Sequence, residues 1–226
     1  MKLMKTMVAA AMIAAYTVTP ANAGMKGYVS STIQTKKIAP EGPVSIDNAF
    51  QKTYLEFSDD SWSFYGLNQY DHKKDKTVEN DLAVNKKIPF GMLGYERWAY
   101  DGGNYDDNLV LTLAHKGFGL RFSKILHGLE EGLDEGYYAK LSYSTKLEDI
   151  FEYLSDTHLG DVTTSVSGTW VDGFYGLNGF VHSRIGLSKK IDCRYFNVNV
   201  MGEHQESFDT DVPDTDVIGI GIEKVF

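Results

Sequence analysis

Apolar and polar residues alternate with a period of two along most of this chain. In "TYLEFS", Thr53, Leu55 and Phe57 fall on one face, and Tyr54, Glu56 and Ser58 on the other. "VTTSVSGTWV" sets Val162, Thr164, Val166, Gly168 and Trp170 against Thr163, Ser165, Ser167 and Thr169. "RYFNVNVMGE" sets Phe196, Val198 and Val200 against Asn197, Asn199, Met201 and Glu203. Period two is the mark of a strand, and the three-four spacing of helices is rare here. About ten such segments lie at 26–35, 50–58, 61–71, 88–100, 107–125, 136–147, 161–172, 178–189, 192–204 and 216–226. Most run about nine to eleven residues, the length a tilted strand needs to cross a bilayer. The pattern predicts an all-β fold: a single antiparallel transmembrane β-barrel of about ten strands.

An even barrel alternates its connections between two ends. Asp59-Asp60, "YDGGNYDD" at 100–107 and Lys189 to Asp192 are expected as turns at one end. The connectors 71–87, 126–135, 173–177 and 205–215 are expected as loops at the other. Segment 107–125 is read as one strand bent by a bulge at Gly117-Phe118-Gly119, because a turn there would make the strand number odd. Segment 148–160 is long for its side, and "IFEYL" suits a short helix or a strand extension.

Residues 1–23 read as a signal peptide: a basic start with Lys2 and Lys5, an apolar run from Met7 to Tyr16, and Ala21-Asn22-Ala23 as a cleavage site. The barrel domain is then 24–226, exported by a Sec-type route to the cell outer membrane. Beyond that leader no apolar run of 18 residues exists, so any membrane crossing is made by strands. The remaining chain holds 20 basic residues against 31 acidic ones, a net charge of −11, which disfavours nucleic acid as a partner. Cys193 is the one cysteine, which rules out an internal disulfide and a cysteine metal cluster.

Alternation also sorts residues between lipid and lumen. In "DVIGIGIEKVF", Ile218, Ile220, Ile222 and Phe226 share the lipid face, while Gly219, Gly221, Glu223 and Val225 share the inner one. In "FVHSRIGL", Val181, Ile185 and Leu187 are expected outward. The candidates for a solute path are Tyr54, Glu56, Tyr65, Gln69, Lys140, His182, Arg184, Asn197, Asn199, Glu203 and Glu223. Two readings fit this inner set. Its members pair with one another and plug a small barrel, or they line a narrow path for a small polar solute.

Other chemistry is weakly signalled. His182-Ser183 looks like half of a hydrolytic site, but neighbours on a strand point to opposite faces. The His-x-Ser-Asn pattern of outer-membrane lipid A deacylases is absent, and no enzyme activity is expected. "DTDVPDTD", 209–216, holds four aspartates but lacks the glycine and closing glutamate of an EF-hand. It reads as an acidic loop, or as a bridge through divalent cations to lipopolysaccharide. No metal site and no cofactor is expected, and the partners implied are outer-membrane lipid, lipopolysaccharide and a small polar solute.

At 52–71, "KTYLEFSDDSWSFYGLNQYD" resembles the nucleoside-specific channel-forming outer-membrane proteins, the Tsx-like family. The matching residues are Thr53, Tyr54, Leu55, Glu56, Phe57, Trp62, Phe64, Tyr65 and Gly66. "EGYYAKLSYSTKLED" at 135–149 and "SRIGLSKKIDCRYFNVNVMGEH" at 183–204 are fainter echoes. The resemblance implies an outer-membrane barrel that passes nucleosides along aromatic and ionisable lumen residues, with Tyr54, Glu56 and Tyr65 among them. This chain is shorter than typical members, and it closes on Glu223-Lys224-Val225-Phe226 where the family's usual ending is Gly-Tyr-x-Phe-like.

Overall fold

A computed structural model describes residues 25–39, 44–46, 48–128, 136–210 and 212–226. The leader expected at 1–23 lies outside these residues. The strands are β1 (Lys26–Gln34), β2 (Lys37–Ile38), β3 (Val44–Ile46), β4 (Phe50–Ser58), β5 (Trp62–Asp71), β6 (Lys76–Ile88) and β7 (Gly91–Tyr100). They continue as β8 (Tyr105–His115), β9 (Phe118–His127), β10 (Tyr137–Lys146), β11 (Thr163–Phe174), β12 (Leu177–Asp192), β13 (Asn197–Ser207) and β14 (Thr215–Val225). Twelve of them close an antiparallel barrel in chain order, and β2 and β3 form a separate two-stranded ribbon.

Closure joins β1 to β14, from Tyr28 opposite Val225 to Gln34 opposite Gly219. Phe226 extends this seam by exchanging backbone hydrogen bonds with Gly27 at 2.7 and 2.9 Å. Its ring lies where a Cβ on Gly27 would stand 2.2 Å away, and it meets Phe57 edge-on at 6.3 Å. Gly27 is therefore needed for close approach, not for backbone freedom.

The strand count differs from the expected ten for two physical reasons. Segment 71–87 was expected as a loop because its charges hide the alternation. It contains the turn 72–75 and strand β6, whose Glu79, Asp81 and Asn85 point inward while Leu82 and Val84 face out. Segment 107–125 is two strands, not one bent strand. Lys116 (φ 47°) and Gly117 (φ 84°) both take the left-handed conformation of a tight two-residue hairpin. Each correction adds one strand, so the number stays even. It also moves the 101–104 turn to the opposite end from Asp59, since β6 reverses the chain once more.

The connections 59–61, 89–90, 116–117, 147–162 and 193–196 lie at the end that carries Lys26 and Val225, here the seam end. The longest of them holds a helical turn, Leu147–Ile150, and a 3-10 turn, Glu152–Leu154. The turns 72–75, 101–104 and 175–176, and the described parts of the connections 35–49, 128–136 and 208–214, lie at the other, distal end.

The outer wall is apolar. Ile218 and Ile220 are 64% and 56% exposed, and Leu82, Leu141, Ile185 and Leu187 are exposed beside them. Exposed aromatics ring both ends: Trp62, Phe90 and Phe118 near the seam end, Tyr105, Trp170 and Phe180 near the distal end. Val181 departs from its expected outward place. Thr169 pairs with His182 and Trp170 with Phe180, which leaves Val181 as the extra residue of a bulge. It turns inward and is fully buried.

Candidate functional site: the barrel lumen

Strand register places all eleven solute-path candidates on the inner face. Tyr54 and Glu56 come from β4, and Tyr65 and Gln69 from β5, with Tyr65 opposite Glu56. Lys140 on β10 pairs with Arg121 on one side and Thr169 on the other. His182 and Arg184 come from β12, opposite Thr169 and Ser167. Asn197, Asn199 and Glu203 on β13 face inward beside Glu223 of β14 and its inward neighbours.

Near the seam end these residues form a hydrogen-bonded wall. Tyr28 donates its hydroxyl to Glu223 at 2.8 Å, and Asn199 donates its amide to the same oxygen at 2.7 Å. Lys190 pairs with the other Glu223 oxygen at 2.7 Å. Asn197 donates to Asp192 at 2.9 Å and accepts from Lys190 at 3.0 Å, with its amide turned to satisfy both. Glu56 accepts from Tyr54 at 2.8 Å and from Ser63 at 2.6 Å. The rings of Tyr28, Tyr54 and Tyr65 follow one another across β1, β4 and β5, with centroids 5.8 and 5.2 Å apart.

The middle of the lumen carries charges of both signs. Arg121 donates to Glu96 at 2.6 Å and to the Tyr138 hydroxyl at 2.6 Å, and Trp98 donates to Glu96 at 3.2 Å. Arg184 donates to Gln205 at 2.9 Å and meets Glu203 at 3.4 Å. Gln69 donates to Glu79 at 2.9 Å, and Lys37 forms an ion pair with the same Glu79.

The segment after β1 reaches across the distal mouth. Arg184 donates to the Ala39 carbonyl at 3.0 Å, and Lys36 to Thr215 at 3.1 Å. With the Lys37–Glu79 pair, residues 36–39 touch β6, β12 and β14, on two sides of the ring. Behind them sits an apolar cluster of inward and loop side chains: Trp98, Ile125, Tyr138, Val171, Phe174, Leu177, Val181 and Val212. Phe174 is its hub, edge-on to Tyr138, Tyr175 and Trp98 at 5.0, 4.9 and 6.4 Å. Val212 belongs to the connection expected as an acidic solvated loop, yet its side chain is buried in this cluster. Asp214 also accepts from the Ser207 amide at 2.8 Å.

The inner face of the seam half is built from small residues instead. Gly119, Ser142, Ser165, Ser167, Gly186 and Gly221 point inward there. Inward Ser144 is exposed to solvent there, and Lys52, near the distal end of β4, is exposed as well. The lumen is thus a polar vestibule at one end and a packed apolar stopper at the other.

Sequence reasoning missed Tyr28, Lys52, Asp81, Glu96 and Arg121. Parity alone would have found Lys52 and Arg121 once β4 and β9 were in register. Asp81 needed β6, which was unrecognised. His182 and Ser183 face opposite sides, as the pleat requires. Among the described residues no group of three or more His, Cys, Asp or Glu could hold a metal, and Cys193 is exposed.

No family model matches the chain, and no curated protein matches it. Among solved structures, it is similar to outer membrane phospholipase A from Escherichia coli at 11% identity, over 88% of this chain and 89% of that one, with a TM-score of 0.44. It is similar to OccK7 (OpdD) of Pseudomonas aeruginosa at 11% identity, over 92% of this chain and 66% of that one, with a TM-score of 0.41. The likeness to OccAB3 of Acinetobacter baumannii is at 8% identity, over 92% and 66%, with a TM-score of 0.38. At these values the likeness does not carry activity across.

Proposed function

We propose that this chain is an outer-membrane β-barrel that takes small polar solutes into its lumen, with no chemistry performed on them. One observation carries the reading: the barrel is inside out relative to a soluble one. Its exterior is apolar between aromatic rings, and its interior carries charges, amides and tyrosines, from the partly exposed seam-end wall to the buried Glu79, Asp81 and Glu96. A soluble barrel would bury Ile218 and Ile220, and here both are exposed. The exterior faces outer-membrane lipid, and the distal loops face lipopolysaccharide.

Nucleosides are the candidate solute. The Tyr28–Tyr54–Tyr65 line offers stacking faces, and Glu56 and Glu223 offer acceptors for sugar hydroxyls beside it. Two of those tyrosines lie in the stretch that resembles the Tsx-like proteins.

A second reading is favoured by the apolar cluster around Phe174: a barrel closed at its distal end, acting through its loops. Planar-bilayer recording of the refolded protein separates the two. Discrete conductance steps that uridine blocks are expected. A folded barrel that gives no steps would favour the closed reading.

A further inference from the structure

We propose that the tip of the β11–β12 hairpin, residues 173–179, is a hinged gate over the distal mouth, latched shut by the Tyr175 hydroxyl. The proposal rests on the solute-path reading and adds the regulation of that path.

A straight hairpin would carry its turn clear of the barrel, but this one leans into the lumen. Phe174 and Leu177, the last pair of its ladder, are both buried. Phe174 meets Trp98 of β7, four places round the ring from β11. The Tyr175 hydroxyl donates to the Asp106 carboxylate of β8, three places away. Tyr100 donates to the same carboxylate oxygen at 2.8 Å, and the two tyrosine oxygens stand 2.9 Å apart. Asp106 is fully buried, so the latch is made away from bulk water.

Both legs of the tip carry a break in the ladder near the same level. On β11 the register shifts between Asp172 and Phe174, which leaves Gly173, at φ 64°, as the extra residue. On β12 Gly179 lies at φ 92°, two residues before the extra Val181. A methyl group on Gly179 would meet no atom within 4 Å, so the chain has room to turn there. Interrupted pairing beside left-handed glycines is where a hairpin bends with the least loss of hydrogen bonds. The turn itself is Tyr175-Gly176, both left-handed, and Asn-Gly would make such a turn at less cost than a tyrosine. What the tyrosine supplies is a ring against Phe174 at 4.9 Å and a hydroxyl long enough to reach Asp106. Opening exchanges that contact for hydrogen bonds to water, so the latch holds by a modest margin and releases readily.

Thiol labelling of the whole refolded barrel tests this. In a Cys193→Ser background, Leu177→Cys puts the single cysteine in the buried tip, and a charged methanethiosulfonate reagent reports how often the tip swings out. Heat-modifiable gel migration certifies folding of each variant. Where Leu177→Cys does not fold, Val212→Cys, buried in the same cluster, takes its place. Adding Tyr175→Phe keeps the ring, removes the hydroxyl and should speed labelling about fivefold. Gly179→Ala penalises the positive φ of the closed tip and should speed it as well. Tyr70→Phe, which loses a hydroxyl contact with Asp75 on the outer face, should not. In bilayers Tyr175→Phe should raise the fraction of time spent open and leave the size of each step unchanged. The gate is overturned when the folded parent stays unlabelled with and without Tyr175→Phe, or when Tyr175→Phe labels no faster than its parent. The hinge at Gly179 is overturned when Gly179→Ala labels no faster. Current decides the solute path separately. Labelling that Tyr175→Phe speeds, with no current in any variant, leaves the gate standing and sinks the path. Current through a barrel whose buried thiol is inert keeps the path and sinks the gate.

Discussion

The two halves of the lumen are built by the same strands with the same parity, yet they have opposite characters. At the seam end the inward positions of β10 and β11 are Ser142, Ser144, Ser165 and Ser167, all partly or fully exposed. At the distal end the inward positions of the same β10, β11 and β12 are Tyr138, Val171 and Leu177, and they pack dry around Phe174. Pleating decides which side chains face in. The volume and polarity at each level decide whether facing in means a vestibule or a core. A barrel of twelve strands is wide enough for either, since its diameter grows with strand number.

Breaking the stopper should have the largest effect. Phe174→Ala removes a fully buried ring from the cluster and is expected to cost about 3–5 kcal/mol of stability. In bilayers the same variant should raise conductance above wild type, which is the sharper readout because a merely destabilised barrel would not conduct more.

Arg121→Met tests the boundary between the halves. It leaves Glu96, 2% exposed, with no counter-charge and should cost about 3 kcal/mol by denaturant titration. The paired variant Arg121→Met, Glu96→Leu should recover most of that loss, because no lone charge is left buried.

Filling the vestibule is expected to act mainly on passage. Ser167→Phe adds a ring to the inner face opposite Ser142 and Arg184 and should reduce conductance more than it lowers stability. An equal drop in both would mean that the seam half is packed as tightly as the distal half.

The smallest effect belongs to the seam-end turn. The amides of Ser61 and Trp62, at 2.7 and 2.8 Å, hold the Asp59 carboxyl below its ordinary range. A depressed folded value means that this contribution is present above the unfolded value and is lost as pH falls through the folded one. Asp59→Ala should therefore lower the unfolding midpoint slightly near neutral pH, and the difference from wild type should vanish in acid.

Much of this was legible in the alternation. Ile218, Ile220 and Ile222 face out and Glu223 faces in, as their spacing requires. Strand β6 was hidden because Glu79 and Asp81 look like loop charges until a lumen is there to receive them. The β8–β9 turn was hidden because Gly117 suits a bulge as well as a hairpin, and only the positive φ of Lys116 distinguishes them. Val181 was misplaced because a one-residue bulge reverses parity locally without leaving any composition signal.

The sequence by itself determined the fold class, the closing face of Phe226 and the inward placement of the candidate residues. These follow from a period of two and from the need to satisfy every backbone group in a closed sheet. Only the tertiary structure decided that Lys36 and Lys37 fold back over the mouth, and that Phe174 gathers an apolar stopper. Those contacts join residues far apart in the chain across a ring. No local pattern encodes them, because their partners are chosen by register and curvature.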